Sequence, residues 1–204
     1  SGDRDHAIMN IVTSAFGNAG QKCSACSLLL VERSVYEDKN FQDKLKDAAT
    51  SIKVGSVWEA GNVVGPMITN RNDKLLQALT LEPGESWLVP PKFIDEKQYI
   101  LAPTVKWGVK PGSYSFRTEL FGPMLSVACI DNLQQGIELV NSLDYGLTSG
   151  LQSLDENEQK LWKDSILAGN LYINRGITGA IVNRQPFGGM KLSAFGGGVK
   201  AGGP

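Results

Sequence analysis

Apolar residues recur at helical spacing over residues 5–16, where Ile8, Ile11, Val12 and Ala15 share one face. Gly17, Asn18 and Gly20 then stop the helix. Ser27-Leu28-Leu29-Leu30-Val31 follows as a short continuous apolar run, suited to a buried strand. The pattern predicts a second helix over 36–52, with Phe41, Leu45, Ala48 and Ile52 inward, and a third over 70–79. Strands are expected over 99–109 and 124–130. Asn132 can cap a helix carrying Leu133, Ile137 and Val140, and Asp155 with Glu158 makes a capping-box-like start for a helix through Leu167. Gly169-Asn170 ends that helix, and Leu171-Tyr172-Ile173 is another buried strand. Alternating strands and helices predict an α/β fold: a three-layer domain with a largely parallel sheet and helices on both faces.

Composition narrows the function classes. The chain has 204 residues, enough for one well-buried domain. Its net charge of -1 leaves no footprint for nucleic acid and no basic membrane-surface patch. No apolar run approaches the roughly 20 residues of a membrane span. The start, Ser1-Gly2-Asp3-Arg4-Asp5, is neither a signal nor a transit peptide, and without an initiator Met the chain reads as a fragment or a processed product. Three cysteines are too few for a disulfide framework and point to a reducing compartment, the cytoplasm or a eukaryotic mitochondrial matrix. A single histidine, His6, rules out a His-rich metal site.

The candidate chemistry lies at Cys23. A helix ends, small residues turn the chain, and a thiol stands at the turn. Glycines let the backbone approach a substrate closely, and a thiolate is a natural attacker of an aldehyde carbon. Cys26 and Cys129 lie in apolar runs and read as small buried hydrophobes. Cys23-x-x-Cys26 also invites a zinc or dithiol reading, but two thiolates are half of a tetrahedral site.

Gly20-Gln21-Lys22-Cys23-Ser24-Ala25 resembles the nucleophile segment of the aldehyde dehydrogenase superfamily. Glu119-Leu120-Phe121-Gly122-Pro123 and Gln185-Pro186-Phe187-Gly188-Gly189, followed by Lys191 and Ser193, resemble two further blocks of that family in the family order. Ala194 departs from the glycine common there. The loop from Asn174 through Thr178-Gly179-Ala180, and the ending Lys200-Ala201-Gly202-Gly203-Pro204, look like the 1-pyrroline-5-carboxylate dehydrogenase branch and the bifunctional proline-utilisation enzymes.

The resemblance implies NAD-dependent oxidation of glutamate γ-semialdehyde to glutamate, with NADP left open. It implies Cys23 as nucleophile. Ser24, backbone N–H groups at Gly179 and Ala180, and Phe187 would contact the substrate. Glu119 would hydrogen-bond a cofactor ribose, with Phe121 beside ribose and nicotinamide. No metal is expected, on the cysteine and histidine counts given above. The resemblance places an NAD-binding domain, a glutamate base and an oxyanion-hole asparagine N-terminal to residues 1–204, so this chain alone is expected to have little dehydrogenase activity. The family's C-terminal oligomerisation strand is expected to be truncated as well. The full-length protein is expected to be a homo-oligomer, with a proline dehydrogenase domain in the same chain left open. Three alternatives remain: another branch such as a succinate-semialdehyde enzyme, a non-catalytic binding domain, and a cysteine hydrolase using His6.

Overall fold

The computed structural model describes residues 2–70, 72–95, 99–181 and 184–195. The glycine run at 196–198 and the ending at 200–204 lie outside them. Asp3 opens helix α1 (Arg4–Phe16) by accepting from the Asp5 and His6 amides. Strand β1 (Leu28–Glu32) leads into α2 (Arg33–Tyr36) and α3 (Lys39–Thr50). The helix expected over 36–52 is α3, which starts three residues later and ends two earlier, with the separate short α2 before it. Asp38 stands extended between them and accepts from Asn40 N at 2.9 Å, which starts α3 afresh.

Asn72 likewise caps α4 (Asp73–Ala78) through Leu75 N. Then come β2 (Ser86–Val89), β3 (Phe93–Asp95), β4 (Ile100–Leu101) and β5 (Thr104–Trp107). The one strand expected over 99–109 is broken between Leu101 and Thr104. Pro103 there has no N–H for a ladder, and Tyr99 enters with φ 62°. Next are α5 (Tyr114–Arg117), β6 (Met124–Ile130), α6 (Leu133–Asn141), β7 (Tyr145–Gly146), β8 (Thr148–Leu151), α7 (Glu156–Ser165), β9 (Asn170–Ile173) and β10 (Met190–Lys191).

Asn132 and Asp155 cap α6 and α7 as expected. The capping box at α7 is relayed rather than direct. Ser153 donates its hydroxyl to the Glu158 carboxylate, and its Oγ accepts from Asp155 N. Helix α7 ends at Ser165, short of Leu167, because Ile166 is already extended.

Four strands form the central sheet in the order β1-β6-β5-β2. The first two pairings are parallel and β5–β2 is antiparallel. A second parallel pair, β8–β9, stands apart, and short antiparallel pairs join β3 to β4 and β7 to β10. The fold is mixed α/β with a mostly parallel central sheet. On one face α1 and α3 bury Ile11, Phe16, Phe41 and Leu45 against Val31, Leu125 and Val127. On the other, Phe116 of α5 packs beside Ala128, Leu28 and Leu30. Trp162 of α7 meets Ile137 of α6. The sheet is thus the middle of three layers.

One charged pair sits inside it. Lys106 on β5 meets Glu85 at 3.0 Å, both side chains 1 % exposed. The ammonium also donates to Thr80 O at 2.8 Å and Ser115 Oγ at 3.1 Å, which offsets much of its desolvation. No helix among the described residues is long and apolar enough to cross a membrane.

Candidate active site

Three consecutive residues in the left-handed region build the cysteine loop. Asn18, Ala19 and Gly20 have φ of 57°, 55° and 66° as the chain leaves α1. A Cβ at Gly20 would stand 2.2 Å from Gly122 O, so only glycine lets this loop close on the Phe121-Gly122 turn. Gln21 ties the loop down from the other side. Its Oε1 accepts from Ile68 N at 2.7 Å and its Nε2 donates to Pro66 O.

A tight turn follows, closed by Ala25 N donating to Lys22 O at 2.9 Å. It projects the Cys23 side chain into solvent and turns Ser24 inward, where Ser24 is buried. Cys26 N then donates to Ser14 O, anchoring the turn on α1.

The other cysteines stand in different surroundings. Burial pushes the Cys26 thiol up to about 12, and its Sγ lies 3.6 Å from Leu28 O. Burial also raises the Cys129 thiol, and Asp131 and Glu37 add to the rise against an opposing pull from Arg33. Both are poor nucleophiles at neutral pH.

Cys23, Glu119 and Phe121 line one groove of about 680 Å³. Phe121 has φ 50° and is 41 % exposed, and Glu119 is exposed beside it. Gly179, Ala180 and Phe187 do not line this groove. They lie beyond β9: Gly179 exposed at φ 90°, Ala180 and Phe187 half-buried. The structure thus brings together three of the seven expected site residues, with Ser24 buried next to the thiol.

That loop is nonetheless pinned to α1, the helix that leads into the Cys23 turn. Ile177 N donates to the buried Ser14 hydroxyl at 3.0 Å, and Asn174 O lies 3.0 Å from His6 Nε2. His6 therefore has a partner on the β9 loop. At the far end, the Lys191 ammonium donates to the carbonyls of Val140, Asn141 and Leu143 and so caps α6. Asn170 Nδ2 donates to Leu147 O and Gly188 O, which fixes the chain next to Phe187.

Two cations of the motif segments also line the groove and were not among the expected site residues. Lys22 lines it, and so does Arg175, whose guanidinium lies 5.1 Å over the Tyr172 ring. Their signal was present, since both stand inside the motif segments at Cys23 and Asn174. Only the fold shows that both face the same groove.

The chain is similar to known proteins over nearly all of its residues. A family model described as the aldehyde dehydrogenase family matches residues 1–203. A 1-pyrroline-5-carboxylate dehydrogenase from Geobacillus kaustophilus is 35 % identical over 204 residues, 99 % of this chain and 39 % of its own length. Proline utilization A from Corynebacterium freiburgense superposes with a TM-score of 0.93 at 46 % identity, over 100 % of this chain and 21 % of that one. A Thermus 1-pyrroline-5-carboxylate dehydrogenase with bound NAD superposes at 0.86 and 34 % identity, over 95 % of this chain and 37 % of that one. The chain thus spans well under half the length of these relatives. With the family model covering nearly every residue, the chain belongs to the aldehyde dehydrogenase family.

Proposed function

We propose that this chain is the nucleophile-bearing domain of an NAD-dependent dehydrogenase that oxidises glutamate γ-semialdehyde to glutamate. The carrying observation is the exposed Cys23 thiol on a glycine-built turn, in one groove with Glu119 and Phe121. The similarity to 1-pyrroline-5-carboxylate dehydrogenases supports the choice of substrate.

Glu119 and Phe121 fit a dinucleotide. An exposed carboxylate suits a ribose diol, and an exposed ring at the groove mouth suits a nicotinamide ribose. NAD, when bound, accepts the hydride. The phosphate-binding part of that site belongs to the remainder of the longer protein in this reading.

Cys23 acts as thiolate and attacks the aldehyde carbon, forming a C–S bond. The carbonyl oxygen takes the negative charge, and the Cys23 backbone N–H donates to it. Loss of hydride from that carbon leaves a thioester on Cys23. Water then cleaves the C–S bond, releasing the carboxylate product and the thiolate. Ser24 supports the turn or donates to the substrate's α-carboxylate. Gly179 and Ala180 supply N–H groups to the same carboxylate, and Phe187 walls its aliphatic part.

Steady-state turnover of the full-length protein on glutamate semialdehyde and succinate semialdehyde tests the assignment. A kcat/KM at least about 100-fold higher for the first is expected, because the α-carboxylate and α-amino group would find partners. Equal or reversed preference overturns the substrate assignment.

A further inference from the structure

His6, Asn10 and Ser14 stand four residues apart on α1 and therefore share one stripe of its surface. The stripe runs from solvent into the core: His6 is exposed, Asn10 half-buried and Ser14 buried. All three reach the same short stretch of chain, residues 174–177. His6 Nε2 lies 3.0 Å from Asn174 O, and a carbonyl only accepts, so this nitrogen carries the proton. Asn10 Nδ2 donates to Gln152 Oε1 at 3.1 Å, and Gln152 Nε2 passes the contact on to Arg175 O at 3.1 Å. Ser14 Oγ accepts from Ile177 N at 3.0 Å.

The loop is held from its other sides as well. Asn174 takes φ 53°, and its side-chain amide bonds both the N–H and the carbonyl of Ser153. Gly176 comes so close to α1 that a Cβ would stand 3.1 Å from Ser14 Oγ. Ile177 lies over Gly150 of β8, where a Cβ would meet its Cγ2 at 2.5 Å.

Ser14 faces two ways. Its carbonyl accepts from Cys26 N at 3.0 Å, three residues past Cys23. One residue thus holds the thiol-bearing turn by its backbone and the 174–177 segment by its side chain. Gly179 is two residues beyond Ile177, so its N–H stays within about 7 Å of the fixed Ile177 N. Where Ser14 holds Ile177 therefore limits where the Gly179 and Ala180 N–H groups stand relative to Cys23.

We propose that His6, Asn10 and Ser14 form a clamp that sets the 174–180 loop against the Cys23 turn and so selects aldehydes that carry an α-carboxylate. The three are positioning residues and touch no reacting atom. The proposal rests on the substrate reading given above, since the loop's N–H groups matter only to a substrate with that carboxylate. An aliphatic aldehyde without it needs the thiol and the cofactor alone. A carboxylate held alike before and during the reaction lowers KM with little change in kcat.

Steady-state kinetics of the full-length protein on glutamate semialdehyde and on propanal, which has no carboxylate, tests the clamp. Ser14→Ala should lower kcat/KM for glutamate semialdehyde at least about 20-fold, mostly through KM, and for propanal by less than about threefold. His6→Ala, at an exposed position, should show the same split with a loss of about three- to tenfold. His6→Gln, whose amide can still donate to Asn174 O, should return to within about twofold of the native protein. Equal losses on both aldehydes, or no loss on either, overturn the clamp. So does a His6→Gln variant as poor as His6→Ala. If Ser14→Ala does not fold, the two His6 variants decide alone. A native protein that turns over the two aldehydes equally overturns the substrate reading, and the clamp falls with it. A native preference that the variants leave intact overturns the clamp alone.

Discussion

Cys23 and Cys26 are three positions apart, yet one thiol is exposed and the other is held neutral by burial. Iodoacetamide at neutral pH should therefore modify Cys23 first, with Cys26 and Cys129 slower, as read by peptide mass mapping. Equal rates at all three would contradict the site. The buried thiol also makes a stability prediction. Its folded value lies above the unfolded 9.0, so its contribution is whole below about pH 9 and is lost as pH rises toward 12. Denaturant melts from pH 8 to 11.5 should show a steeper alkaline loss in the native protein than in Cys26→Ala. Gly20 is the third test at this scale. Gly20→Ala adds a Cβ against Gly122 O at φ 66° and should cost about 2–4 kcal/mol in the same melts. Cys23 itself was legible from its flanking motif. The left-handed run at Asn18 and Ala19 was not, because neither residue type demands positive φ.

Among the elements, helices with a strong apolar stripe and a side-chain cap were readable. α1, α6 and α7 start where Asp3, Asn132 and Asp155 allow. Strand β8 was not, since Thr-Ser-Gly-Leu carries little of the β-branched alternation that marks a strand. Nor did the apolar run around β5 announce its buried charge. Lys106 and Glu85 are separated in sequence by β2, β3 and β4, and the β5–β2 pairing brings them together. Removing one partner leaves an unpaired buried charge. Lys106→Met should cost about 3–5 kcal/mol in equilibrium unfolding, and adding Glu85→Leu should recover much of it. An additive loss in the double variant would show that the pair is not coupled. The β10 anchor is weaker by this logic, because Lys191 pairs with carbonyls at the end of α6 and burial lowers its pKa.

For the whole molecule, three motif blocks spread along the chain carried the family, and the alternation of strands and helices carried the layers. What no local pattern showed was how far the parts are joined. Gly179, Ala180 and Phe187, expected in one site with Cys23, stand on a loop tied to the Cys23 helix α1 through Ser14. The structure also leaves β8–β9 detached from the central sheet. Both follow from contacts distant in sequence, which periodicity does not encode. The account as a whole stands on Cys23 as the nucleophile, and rapid mixing of the full-length protein with glutamate semialdehyde and NAD tests that most directly. The native protein should give a burst of NADH and an acid-trapped acyl adduct on the peptide containing Cys23. Cys23→Ser should give neither, with kcat/KM lower by at least about 1,000-fold. Undiminished turnover in Cys23→Ser, or an adduct mapped to Cys26 or Cys129, would contradict it.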